Sequence, residues 1–79
     1  MDTDDIHIGN LIENTMKNER HTAQWLAGEI GCSRTNIYKL YKMGSMDTFQ
    51  LQLISVALGK NFFTDLAEFC QKKMDENSH

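Results

Sequence analysis

Residues 22–40 read TAQWLAGEIGCSRTNIYKL, and the organisation of the 79-residue chain can be worked outward from them. Thr22 suits an N-cap, its hydroxyl accepting a backbone N–H from the first turn of a helix. Leu26, Ala27 and Ile30 then share a face, and Gly31 ends the helix in the left-handed conformation favoured at C′. Ser33 opens a second helix almost at once, with Cys32 placed to staple onto Ile37. Ile37, Leu40 and Tyr41 repeat at helical spacing. Two helices joined by so short a turn cross at about 90–120°, which demands small facing residues. Ala27 lets the second helix pass over it, Gly31 reverses the chain, and Ile37 fills the space between. Leu26, Ile30 and Leu40 complete the wedge.

Upstream, Ile8, Leu11, Ile12 and Met16 form one stripe of an amphipathic helix from about Ile6 to Asn18. The polar run Asn18-Glu19-Arg20-His21 reads as the connection to Thr22. Downstream, Asp47 caps another helix, Gln50 completes a capping box, and Met46 can staple onto Leu51. Leu51, Ile54, Ser55 and Leu58 form its inward face, and Gly59 stops it. A last helix, about Phe62 to Lys73, carries Phe62, Phe63, Leu66, Phe69 and Cys70, with Met74 just beyond. The chain has no proline, no repeat and no strand-like alternation that lacks a better helical reading. The expected fold is all-α: one compact five-helix domain over residues 6–74. An acidic flexible N-terminus is expected over residues 1–5 and a flexible C-terminus over residues 75–79.

At 9.1 kDa the chain has room for one core. Its 41% apolar and 24% charged residues are ordinary for a globular domain, which argues against disorder. No apolar run is long enough to span a membrane, and no basic segment followed by an apolar one marks a secretory signal. The cytoplasm is the expected compartment. Cys32 and Cys70 support no disulfide framework and no metal spacing, and each reads as a small core hydrophobe. His7, His21 and His79 stand apart from any ligand cluster, so no metal or other cofactor is expected. No nucleophile–base–orienter set, paired-carboxylate motif or phosphate loop can be assembled, so the chain does not read as an enzyme.

Net charge is −3, but it is unevenly distributed. Residues 1–16 carry Asp2, Asp4, Asp5 and Glu13 with no cation. Residues 17–42 carry Lys17, Arg20, Arg34, Lys39 and Lys42 against Glu19 and Glu29. Beyond them acids again outnumber bases. The basic third is the one that holds the two-helix unit.

This unit resembles the helix-turn-helix of the Cro/phage-repressor (Xre) family of DNA-binding regulators. Those proteins typically read Thr/Ser-Gln-x-x-Leu-Ala-x-x-x-Gly-Val-Ser-x-x-x-Ile-Ser. Thr22, Leu26, Ala27, Gly31, Ser33 and Ile37 match, and Cys32 stands for the usual valine. The likeness reaches Ile8-Gly9 and Ile12 upstream and the Met46-Asp47-Thr48…Leu51…Ile54…Leu58 segment downstream, covering roughly residues 6–66. Leu58-Gly59-Lys60-Asn61-Phe62-Phe63 looks like the Leu-x-x-Asp/Asn-Phe-Phe close of a bacterial subgroup. One departure is Ala23, where the family usually carries a glutamine that braces a phosphate and the recognition helix. Either the adjacent Gln24 shares that duty or the clamp is weaker here.

The resemblance implies a lambda-repressor-like DNA-binding domain whose helix Ser33–Tyr41 enters the major groove of an operator. The spacing agrees, because Arg34, Thr35, Tyr38 and Lys39 fall opposite Ile37 and Leu40. Arg34 can donate two hydrogen bonds to guanine O6 and N7. Thr35 can offer a hydroxyl or a methyl, and Asn36 and Tyr38 complete the candidate base contacts. Thr22, Gln24, Ser33, Lys39 and Lys42 are the candidate phosphate contacts, which position a protein without reading sequence. Trp25 reads as half-buried packing, Tyr41 as core, and the five methionines as core or gap filler. In the last helix, Phe62, Leu66 and Phe69 lie on one stripe and Phe63, Leu66, Cys70 and Met74 on another. A domain this small cannot easily cover both, so Phe62, Leu66 and Phe69 are expected at a homodimer interface. The expected function is a sequence-specific transcriptional regulator, a repressor by occupancy. The alternative is a protein-interaction module on the same scaffold, such as an antitoxin or adaptor with a protein partner.

Overall fold

Short-range hydrogen bonds mark where each helix begins. The computed structural model describes residues 6–77, which form five helices: α1 Ile8–Asn18, α2 Ala23–Ile30, α3 Arg34–Tyr41, α4 Thr48–Leu58 and α5 Phe62–Asn77. Thr22 Oγ1 accepts the Trp25 N–H at 3.0 Å, Ser33 Oγ accepts that of Asn36 at 3.1 Å, and Asp47 Oδ1 accepts that of Gln50 at 2.7 Å. Each is the expected N-cap, taking up a donor with no partner inside its helix. Gln50 does not return a side-chain bond to Asp47, so the expected capping box is half made. Gly31 (φ 77°) and Gly59 (φ 66°) are the left-handed stops of α2 and α4.

Two caps lie outside the pattern read from sequence. His7 Nδ1 accepts the Asn10 N–H at 3.1 Å, so α1 starts two residues later than expected. Asn61 Oδ1 accepts the Phe63 N–H at 3.0 Å at the start of α5.

The core draws on every helix. Ile8, Ile12 and Met16 of α1 meet Leu26 and Ala27 of α2, Ile37 and Leu40 of α3, Leu51, Ile54 and Leu58 of α4, and Phe62 of α5. The angle between α2 and α3 is set by their short turn, where the Ala27 carbonyl accepts both the Gly31 and the Cys32 N–H at 2.9 Å. The far end of α3 is held by α1, whose first two N–H groups donate to the Gly44 and Met43 carbonyls at 3.0 and 2.8 Å. Helix α3 is thus fixed at both ends.

Only Phe62 of α5 is fully enclosed, yet the helix runs sixteen residues, past the expected end near Lys73 and through Asn77. Residues 75–77, expected to belong to a flexible C-terminus, are helical. The acidic residues 1–5 and the last two residues lie outside the described residues. Two readings of sulfur-containing residues are corrected. Cys32 packs half-buried against the core, but Cys70 is exposed, on a stretch of α5 with little core beside it. Met16 is buried and Met46 half-buried, whereas Met43 and Met74 stand exposed rather than filling gaps. Among the described residues, no helix is long and apolar enough to cross a membrane.

Candidate nucleic-acid interface

The helix α3 has two opposite sides of different chemistry. Ile37 and Leu40 are buried, while Arg34, Thr35, Tyr38 and Lys39 are exposed and Asn36 is half-buried. The 3.6-residue period forces this division once Ile37 fills the gap between α2 and α3. Ser33 is exposed at the start of the helix. Its oxygen accepts from Asn36, which leaves the hydroxyl hydrogen available to donate to an acceptor outside the protein. Thr22 is placed in the same way at the start of α2, where its oxygen accepts from Trp25.

Arg34 lines an open groove together with Gln24, Ala27, Gly28 and Cys32. The first turns of α2 and α3 therefore meet at one surface, with an amide on one side and a guanidinium on the other. Lys42 caps the opposite end of α3, its N–H donating to the Lys39 carbonyl at 3.1 Å, roughly 12 Å along the axis from Arg34 at 1.5 Å per residue. Among the described residues, no carboxylate pairs with Arg34, Lys39 or Lys42. Other lysines do have acidic neighbours: Lys17–Glu13 at 3.7 Å and Lys60–Asp65 at 3.3 Å. Three cations without an ion pair among the described residues, Arg34, Lys39 and Lys42, thus lie along one helix, an arrangement that favours an anionic ligand.

Behind this surface, the Tyr38 and Tyr41 rings meet edge to face, 6.1 Å apart at 76°. Tyr38 projects outward, and Tyr41 is half-buried against the core. Burial raises the Tyr41 hydroxyl above its ordinary pKa of 10.0, and the Glu13 carboxylate and Tyr38 add to the rise. Trp25 is half-buried and stacked on His21, with ring centroids 3.9 Å apart, so one of its faces is already occupied.

The expected dimer residues need correction. Phe62 is 0% exposed and belongs to the core, which removes it from any intermolecular contact in the folded chain. Leu66 is half-buried against that core, and Phe69 is half-buried with the Lys73 ammonium 5.9 Å from its ring centroid. Periodicity places Phe62, Leu66 and Phe69 on one stripe and Phe63, Leu66, Cys70 and Met74 on another, and spacing alone does not say which turns inward. A different apolar surface went unread, formed by Phe49, Leu53 and Val56 on the outer side of α4. Its signal is in the sequence: a helix with no charged residue and apolar side chains on both faces.

Compared with known protein families, curated proteins and solved structures, the chain matches none.

Proposed function

We propose that this chain is a sequence-specific DNA-binding transcriptional regulator that represses by occupying an operator, with α3 in the major groove. The observation that carries the reading is the outer side of α3. There Arg34, Thr35, Tyr38 and Lys39 stand exposed on a helix fixed at both ends, and neither Arg34 nor Lys39 has an acidic partner among the described residues. Arg34 reads a guanine, Thr35 and Tyr38 contact neighbouring base edges, and the half-buried Asn36 reaches only the nearest of them. Thr22, Gln24, Ser33, Lys39 and Lys42 hold phosphates on either side. The resemblance of residues 22–40 to the Cro/phage-repressor helix-turn-helix supports the same assignment. A homodimer would present two such helices about 34 Å apart to a palindromic site. No catalytic step is involved.

A second reading, an antitoxin-like or adaptor module, draws on the exposed Phe49 and Val56 of α4. A salt titration on random duplex DNA separates the two. A phosphate-contacting protein loses affinity with a log–log slope of about 0.9 per contact, and an adaptor shows no binding to titrate. Selection of bound sequences from a random duplex pool then gives the operator. A pool that yields no enriched sequence removes the regulator reading.

A further inference from the structure

The apolar surface that the fold leaves uncovered lies on α4. Phe49, Leu53 and Val56 recur at i, i+4 and i+7 on the side away from Leu51, Ile54 and Leu58, and they are 67%, 37% and 76% exposed. Between Asp47 and Lys60 the chain has no charged residue. A helix that is apolar on both sides is normally covered on both. Here the domain covers one. Val56 also stands as a ridge between two shallow hollows. One is lined by Gln52, Leu53 and Ala57 with Glu29 and Ile30 of α2, the other by Gln52 and Ser55 with Gly59, Lys60 and Asn61 of the turn and Phe63 of α5.

We propose that this ridge docks against the same ridge of a second copy of the chain, the two α4 helices crossing antiparallel near Leu53 and Val56. Three features favour a second copy over an unrelated partner. In a twofold contact each patch meets its own copy, so charge at the centre would face like charge; α4 has none. The two ends of the helix carry opposite signs, and antiparallel crossing sets Asp47 of one copy towards Lys60 of the other, which each copy also holds 3.3 Å from Asp65. The hollow beside Ile30 offers the Val56 side chain of the other copy a place to enter, with Glu29 at its margin rather than on α4 itself. On α5, by contrast, Phe62 is enclosed and Leu66 and Phe69 are half-covered by the chain's own core and Lys73. Three side chains and their margins fall short of the roughly 800 Å² per partner of a standard interface, so the dimer is weak and reversible.

Sedimentation velocity on the full chain without DNA tests this, from micromolar to millimolar concentration, with reductant present because the Cys70 thiol is exposed. The wild type is expected to pass reversibly from monomer to dimer. Val56→Lys, at a site too exposed to disturb folding (checked by circular dichroism), is expected to weaken association by more than about tenfold, because the ammonium would be buried unpaired at the seam. Met74→Lys on the exposed part of α5 is expected to leave it unchanged. A wild type that stays monomeric overturns the proposal, as does a dimer that survives Val56→Lys or is lost with Met74→Lys. Because no DNA is present, failure here is distinct from failure of the regulator reading, which rests on duplex binding.

Discussion

Gly9 and Tyr41 approach so closely that a Cβ on residue 9 would run into the Tyr41 carbonyl oxygen. The contact joins backbone to backbone. The N–H groups at the start of α1 have no partner in their own helix, nor do the carbonyls that end α3 and follow it. Here they satisfy one another, through the bonds from Ile8 to Gly44 and from Gly9 to Met43. The positive end of one helix macrodipole thereby meets the negative end of another. The face of α3 that carries Arg34 is oriented by this junction as much as by the Ala27–Gly31 turn.

Gly9→Ala should therefore destabilise the fold, by about 1–3 kcal/mol as overpacking does. The sign is informative. Helix propensity alone favours alanine over glycine by roughly 0.5–1 kcal/mol, so an unhindered site would be stabilised. Urea denaturation decides between them: a midpoint at or above that of the wild type would mean that the two backbones can separate at little cost.

Arg20 is the only non-glycine residue with positive φ among the described residues, at 59°. It terminates α1 where the chain turns, with its own N–H on the Lys17 carbonyl and the next, from His21, on that of Met16 at 2.9 Å. Left-handed backbone costs an L-residue about 1–2 kcal/mol, and glycine escapes most of it. Arg20→Gly is expected to raise stability by about 1 kcal/mol, or several degrees in Tm for a domain of this size. Arg20→Ala removes the same charge without relieving the backbone. Equal melting curves for the two variants would show that the charge, not the conformation, sets the effect.

These two positions also show where sequence reading stops. Thr22, Ser33, Asp47, Gly31 and Gly59 were legible because a cap or a stop is decided within about four residues of chain. The outward side of α3 followed from Ile37 and Leu40 by period alone. The Gly9–Tyr41 contact joins residues 32 apart and depends on how two helices abut, which no local pattern encodes. Arg20 sits where glycine is usual, so its backbone left no mark in the sequence. The groove shared by Gln24 and Arg34 required the angle between α2 and α3, and the fate of Phe62 required knowing which of two stripes meets Leu58 and Ile54.

The raised pKa of Tyr41 predicts a loss of stability in alkali. Below a pH of about 10, the ordinary value for tyrosine, folded and unfolded chains both keep the proton, and its contribution is fully present. Above that value the unfolded chain ionises while the folded one resists, so unfolding gains free energy until pH passes the folded pKa. Tyr41→Phe cannot ionise. Its stability should fall less steeply than that of the wild type above pH 10, and the difference between the two should be flat below pH 9. Parallel curves across the whole range would show that this proton is not linked to folding.

Arg34 and Lys42 stand at opposite ends of α3, and their loss should be felt differently on DNA. A bidentate guanidinium–guanine contact discriminates by about 1–3 kcal/mol, so Arg34→Ala should weaken the selected operator by roughly tenfold to a hundredfold and relax preference at one base pair. Binding to random duplex should fall far less, through one lost charge. Lys42, exposed at the helix end, can reach a phosphate but is a poor reader of bases, because an ammonium on a flexible stem lacks a fixed donor geometry. Lys42→Ala should weaken all duplexes alike and reduce the salt slope by about one unit. Fluorescence anisotropy on operator and random duplexes at several salt concentrations measures both effects. If Arg34→Ala costs the same on the two DNAs, the guanidinium is holding a phosphate, and discrimination must come from Thr35, Asn36 or Tyr38 on the same side of the helix.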